Sequence, residues 1–319
     1  MNQSSTLLLV DGHALLYRAF FAFPPTLTNR SGQLVNAAYG FTRMLLSTLE
    51  LCQPTHVIVS FDIGKTWRHE TYPAYKAHRE KMPDELKQQE SLVTELVEAL
   101  NLPIFTLSGY EADDVIGTLA TKAACDVKHR AHSLIMTHDM DSLQLVIDKT
   151  SVGGSVSVYK SGNGAKPAIT FNEAAVMTKY GLNPTQIIDY KSLAGDASDN
   201  IPGVRGIGPK TAIKLLQEFF TLEDVYAALE AKHASLAKGV AAKLELYRGD
   251  AYLSQQLAAI NTTLPLEVDW DAAAVSQYNY RLAAKTLADF GFTSLINKLP
   301  PDSFEQLVHK HVLATPMIQ

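Results

Sequence analysis

Four short β-rich apolar runs alternate with helical patterns through the first half of the chain, and few folds accommodate that alternation. The runs are Thr6–Val10, His56–Phe61, Pro103–Leu107 and Ser133–Thr137. Between them lie helical stretches at Ala37–Leu51, Pro83–Leu100 and Ala112–Ala124, with Leu92, Leu96, Val97 and Leu100 forming one helical face. Strand–helix–strand alternation predicts an α/β domain over residues 1–172, with a mostly parallel central sheet and flanking helices. A Gly/Ser-rich patch, Ser151–Gly164, interrupts the pattern and is expected to form a hairpin or loop. From Asn172 onward helical spacing dominates (Glu173–Tyr180, Pro184–Leu193, Pro209–Phe220, Leu222–Leu229), so residues 173–298 are expected to form a helical C-terminal region. Pro300-Pro301 opens a tail or linker, 299–319.

Composition narrows the function classes. With 319 residues, 46% of them hydrophobic and 19% charged, the chain can bury a core as one large or two closely packed domains. No stretch approaches the roughly 18 apolar residues of a membrane span, so no membrane partner is expected. Cys52 and Cys125 lack a CxxC spacing and indicate neither a disulfide framework nor a zinc site; a cytoplasmic, nucleoid-associated location is expected. The formal charge of −5 argues against coating nucleic acid by bulk attraction. Any positive charge that meets a phosphate must sit in specific places.

The strands share an unusual ending. Leu7–Val10 is followed by Asp11, Val57–Phe61 by Asp62, and Leu134–His138 by Asp139 and Asp141. Glu111, Asp113 and Asp114 follow the third strand at a helix start, and Asp196 and Asp199 come from the helical half. Ligands of open α/β sheets gather at the carboxyl ends of strands, so Asp11, Asp62, Asp139 and Asp141 are placed to converge, and the other segments bring the set to nine. Crowded carboxylates repel one another unless cations neutralise them, and an all-oxygen set suits Mg²⁺ or Mn²⁺ and not zinc. Singly, each has a plainer reading: Asp11-Gly12 as a turn, Glu111, Asp113 and Asp114 as complements to a helix dipole, Asp196 and Asp199 as caps. The combination favours a metal cluster.

Two further segments suit a phosphate backbone. Between Lys65 and Lys81 stand Lys65, Arg68, Lys76, Arg79 and Lys81 against Glu70 and Glu80, with Trp67, Tyr72 and Tyr75 interleaved as faces on which bases can stack. A solvated, partly helical excursion is the plainer reading, but the stretch follows Asp62 directly. The second segment is Ile201–Ala212, where Gly203, Gly206 and Gly208 allow a tight turn and Pro209 opens the next helix. Free N–H groups there, with Lys210 and Thr211, can hold a phosphate without reading sequence. A nucleotide-binding P-loop would need Lys at 209, where Pro209 stands, and a simple packing corner is the bland alternative.

The stretches LLLVDGHALLYRAFFAFPP, SFDIGKTWRHETYPAYKAHR, GYEADDVIGTLA, MTHDMDSLQL and LAGDASDNIPGVRGIGPKTAIKLL together resemble the 5′-nuclease (5′-3′ exonuclease, flap endonuclease) domain of bacterial DNA polymerase I. They occur in that family's order from residue 6 to about 298. The resemblance implies metal ligands at Asp11, Asp62, Glu111, Asp113, Asp114, Asp139, Asp141, Asp196 and Asp199, with Asp113 shared between two Mg²⁺ or Mn²⁺ ions. It implies a helical arch over the site from about residues 64–100, with Lys76 and Arg79 meeting the scissile phosphate and Arg18 helping to hold DNA. The glycine segment, about 190–220, would be a helix-hairpin-helix gripping the duplex with a bound K⁺. DNA flaps, nicks or RNA primer ends are the implied substrates, and a polymerase domain the implied partner. His138 and Met140 stand where that family has Gly and Lys, and Arg205 where Pro is frequent; none removes a ligand. Two other readings stay open: a DNA-structure binding module without catalysis, and a phosphatase built on Asp139-x-Asp141.

Overall fold

A computed structural model describes residues 5–162, 167–275 and 277–301. Among these residues the centre is a six-stranded sheet: β1 (Thr6–Asp11), β2 (His56–Ser60), β3 (Ile104–Phe105), β4 (His132–Met136), β5 (Ser155–Lys160) and β6 (Ile169–Phe171). Its order is β3-β2-β1-β4-β5-β6, parallel except for the antiparallel edge strand β6. Parallel pairing demands crossovers, and these are the helices α1 (Gly12–Ala22), α2 (Asn36–Cys52), α3 (Trp67–Thr71), α4 (Asp84–Lys87), α5 (Glu90–Ala99) and α6 (Ala112–Cys125). Strand β1 is covered on both faces, so Leu7, Leu8, Leu9 and Val10 are all fully buried: Leu8 and Val10 pack on α1 and α2, Leu7 and Leu9 on α6. The expected mostly parallel α/β sheet is what forms.

Two local expectations need correction. The single helix over 83–100 is broken between α4 and α5, because Gln89 turns inward. Its Oε1 accepts from the N–H groups of Ala37 and Ala38 at 2.8 and 3.2 Å, supplying the cap that Val35 cannot give α2. Helix α5 then buries Leu92, Val93, Leu96 and Val97 in the core, so residues 90–100 are no part of an arch. The third strand shrinks to two residues beside Pro103, which has no N–H to give a ladder. In the Gly/Ser patch a turn at 151–153 leads into strand β5, which pairs antiparallel with the next strand, β6, in keeping with the expected hairpin; residues 163–166 lie outside the described ones, as do 302–319 of the expected tail.

Beyond the sheet come α7 (Glu173–Tyr180), α8 (Ile187–Ala194), α9 (Pro209–Phe219), α10 (Leu222–Glu230), α11 (Lys238–Leu246), α12 (Arg248–Ala258) and α13 (Tyr280–Asp289). Helices α8 to α11 enclose a separate apolar cluster around Leu193, Leu216, Val225 and Leu244. The chain then returns to the sheet: the Ala273 carbonyl accepts from Val57 N–H at 2.8 Å, and α13 packs on α5. No described helix is long and apolar enough to cross a membrane.

Candidate active site

The carboxylates gather where the fold predicts, at the carboxyl ends of β1, β2 and β4. Asp11 closes β1 and caps α1: its Oδ1 accepts from Ala14 N–H at 3.0 Å, and its Oδ2 from the Thr137 hydroxyl at 2.7 Å. Asp62 follows β2, and its Oδ1 accepts from Ala112 N–H at 2.7 Å at the start of α6. Thr137, just past β4, also receives Asp139 N–H at 3.0 Å, while Asp139 Oδ1 accepts from Asp141 N–H at 2.9 Å. The Asp11–Thr137 bond joins the ends of β1 and β4, and the Asp62–Ala112 bond joins the end of β2 to the start of α6.

Two adjoining cavities open there. One, of about 410 Å³, is lined by Asp11, Asp62, Lys76, Glu111, Asp113 and Asp139 among others. The larger, of about 910 Å³, is bordered by Arg18, His138, Asp141, Lys191 and Asp196, and Arg79 and Asp139 line both. Asp199 joins from the loop after α8, where the Tyr75 hydroxyl donates to it at 2.9 Å and to Glu111 Oε2 at 3.0 Å.

Basic side chains stand among the carboxylates. Lys76 Nζ donates to Glu111 Oε1 at 2.8 Å and lies 3.6 Å from Asp199; Arg79 donates to Asp199 Oδ1 and, through Nε, to the Ser198 carbonyl at 3.1 Å. Lys191, on α8, is buried and donates to both Asp141 and Asp196. Among the described residues no three acidic, histidine or cysteine groups already stand as a metal-binding set. The ammonium and guanidinium groups draw several carboxylates toward themselves.

The electrostatics show how far this neutralisation falls short. Burial, with Asp62 and Asp139 close by, raises the Asp11 carboxyl to about 6. Burial and Asp139 raise Asp141 to about 7 even against the pull of Lys191. Asp113 is held well above the usual carboxylate range by burial and by Asp139, Asp11 and Glu111, and its buried Oδ1 has no hydrogen-bond donor. Asp196 goes the other way, to about 2, because Lys191 and Ser198 outweigh its burial. His13 is raised despite burial, through Asp62 and Glu90. An orphaned carboxylate oxygen in an all-oxygen cluster is a donor set that fits a hard divalent cation.

Some expected site residues are engaged elsewhere. Arg68 is no surface contact: it is 2% exposed, and its guanidinium clasps Asp114 at 2.7 and 2.9 Å while donating to the carbonyls of Leu257 and Ala259. Asp114 is fully buried and also accepts from Asn261 N–H, so both its oxygens are spoken for. Tyr75 is buried and Tyr72 packs beside it on Ile201 and Leu257, which removes the stacking face expected of Tyr75. Gly203 (φ +60°) is buried against Gly195 and donates to Ser254 Oγ at 2.9 Å, so it shapes the turn from inside. Lys65, Gly206, Gly208 and Lys210 are exposed, and Thr211 is half-buried beside them. Arg18 borders the larger cavity and donates to the carbonyls of Ser161 and Gly162. His138 also borders that cavity, with its Nε2 3.0 Å from the Ser161 hydroxyl, and is pushed down to about 4 by burial, Arg18 and Lys160.

Comparison with known proteins decides the family. Residues 6–181 match the 5′-3′ exonuclease N-terminal resolvase-like domain, and residues 182–281 the 5′-3′ exonuclease C-terminal SAM fold. The chain belongs to the 5′-3′ exonuclease family. It is 41% identical over 306 residues to DNA polymerase I of Bacillus subtilis (strain 168), covering 96% of this chain and 33% of that protein. DNA polymerase I of Chloroflexus aurantiacus is 41% identical over 301 residues, with 92% and 31% covered. The chain thus spans about a third of the length of these polymerases. Among solved structures, the T5 D15 protein co-crystallised with metal ions superposes with a TM-score of 0.60 at 22% identity, covering 92% of this chain and 99% of that one. The catalytic core of Rad2 in complex with DNA substrate gives 0.59 at 17%, covering 93% and 91%. These two likenesses are of fold. As a 5′-3′ exonuclease family member the chain is a nuclease, and the acidic rim is its candidate active site.

The sequence reading missed Lys191, Thr137, Tyr75 as a hydroxyl donor, and His13. A lysine five positions before Asp196 on the inward face of α8 was the available signal for the first.

Proposed function

We propose that this chain is a metal-dependent, structure-specific 5′ nuclease that hydrolyses DNA phosphodiesters at flaps, nicks or 5′ ends in replication and repair, alongside a polymerase domain in cis or in trans. The observation that carries the reading is Asp113: a buried carboxylate oxygen without a donor, among carboxyls held above their usual range. Two Mg²⁺ or Mn²⁺ ions at this rim would supply an acidified water and neutralise charge on the phosphate and the leaving 3′ oxygen.

The ligand set we propose is Asp11, Asp62, Glu111, Asp113, Asp139, Asp141, Asp196 and Asp199, with Asp113 shared between the ions. Asp114 stays with Arg68, and its part is to hold the segment carrying Lys76 and Arg79. Thr137 and Ala14 fix the Asp11 carboxylate from two sides. Lys76 and Arg79, now on Glu111 and Asp199, lie where a phosphate entering the rim would meet them and would offset its developing charge. The exposed turn of Gly206, Gly208, Lys210 and Thr211 is proposed to act as a helix-hairpin-helix that grips duplex phosphates. Lys243 Nζ already donates to the Gly206 carbonyl at 2.9 Å, so the K⁺ expected there finds an ammonium on that oxygen.

An end-labelled 5′-flap duplex incubated in Mg²⁺, beside the same mixture in EDTA, tests the reading. Cleavage at the junction in Mg²⁺ alone is expected. Binding without cleavage in Mg²⁺ and Mn²⁺ would replace it with a silent DNA-binding module.

A further inference from the structure

The two halves of the rim are built differently. On one side Asp113 keeps an oxygen with no donor, so a cation arriving there displaces nothing from that atom. On the other, Asp141 and Asp196 share one partner, Lys191, whose side chain is 11% exposed against 15% for each carboxylate. Burying an ammonium is unfavourable unless opposite charges surround it, and here two carboxylates do. The lysine is anchored on α8 between Tyr190 and Ser192, and its own carbonyl accepts from Gly195 N–H at 2.8 Å at the helix end. Its tip therefore approaches the acidic pair from a fixed base along a flexible stem.

One positive charge cannot balance the pair. Asp141 also neighbours Asp139, so three carboxyl groups face the one ammonium in this lobe. A divalent ion seated between Asp141 and Asp196 would have to share a few ångströms with the ammonium, where like charges repel strongly. Ammonium and ion are alternatives.

We propose that Lys191 is a built-in counter-ion that holds the Asp141–Asp196 pair in place of a divalent cation and must swing out before that pair can take one. This rests on the metal-dependent reading above. Ions then load in order, first beside Asp113 and second at the Lys191 lobe. The freed ammonium faces the 910 Å³ cavity that Arg18 and Arg79 also border, where a phosphate backbone offers it new partners. Lys191 is a positioning residue in this scheme, acting through Asp141 and Asp196.

Mn²⁺ titrated into the EDTA-stripped full chain, with free Mn²⁺ read by electron paramagnetic resonance, distinguishes the outcomes. Wild type is expected to bind one ion tightly and a second at least about tenfold more weakly. Lys191→Met should tighten the second site about tenfold, while Lys191→Arg, which keeps the charge, should leave it weak. A second site in Lys191→Met as weak as in wild type would overturn the proposal while leaving the metal reading standing. No bound Mn²⁺ in any of the three would overturn both. A measurement on wild type guards against misfolding of the variants: acetylation of Lys191, followed by mass spectrometry, should be slow in EDTA and faster in Ca²⁺. Equal protection at saturating Ca²⁺ would sink the idea.

Discussion

Asp113 and Asp114 are neighbours with opposite circumstances, and the difference sets what each substitution does. Asp114 has both oxygens held by Arg68, whereas Asp113 has one oxygen bare. Asp113→Asn removes a charge that is costly without metal, so the EDTA-treated variant should melt above wild type while Mg²⁺-dependent cleavage falls at least about a hundredfold, with flap binding retained. Unaltered turnover would remove Asp113 from the site. Arg68→Met strands a buried carboxylate and should cost about 3–5 kcal/mol by urea denaturation. A loss under about 1 kcal/mol would mean that the pair is dispensable. Asp11, Asp62, Asp139 and Asp141 were legible as a group in the sequence because strand ends in a parallel sheet are a shared location. Arg68 was not, since a guanidinium in a basic run reads as solvated until a buried partner is seen.

At the scale of elements, β1, β2 and β4 and their crossovers were legible because those strands carry continuous apolar runs, whereas β5, with serines between its valines, was not. Breaks caused by side chains acting at a distance were not: no local signal near Gln89 says that it will cap a helix starting at Asn36. The glycine turn was legible in outline but not in its division of labour. Gly203 has φ +60°, and a Cβ there would lie 2.2 Å from Gly195 N, whereas at Gly206 (φ +86°) a Cβ would meet the flexible end of Lys243 at 3.0 Å. Gly203→Ala should therefore destabilise the helical region by at least ~2 kcal/mol, and Gly206→Ala by about 1–2 kcal/mol. Calorimetry on the two variants checks the ranking, and the reverse order would contradict the packing described for Gly203.

Across the whole molecule, proton uptake and metal loading oppose each other. Asp11 and Asp141 titrate at about 6 and about 7 when folded, against 3.8 for a free carboxyl. Between those values the folded chain holds more protons than the unfolded one, so these two groups make the metal-free protein less stable as pH rises from about 4 to about 7. Mg²⁺ should consequently raise the melting temperature more at pH 8 than at about pH 5.5, and Asp141→Asn should flatten the pH dependence seen in EDTA. An unchanged slope in that variant would show that Asp141 is not the group responsible. Arg68 adds a matter of timing. Its guanidinium joins Asp114 to the carbonyls of Leu257 and Ala259, residues that follow every acidic residue of the rim in the chain. Domains acquire structure as they emerge, but this segment gains its last anchor only near residue 259. The segment 64–82 is thereby left without its last anchor until residues 257–259 have emerged, and a chain stopped before Leu257 should yield to protease within residues 64–82.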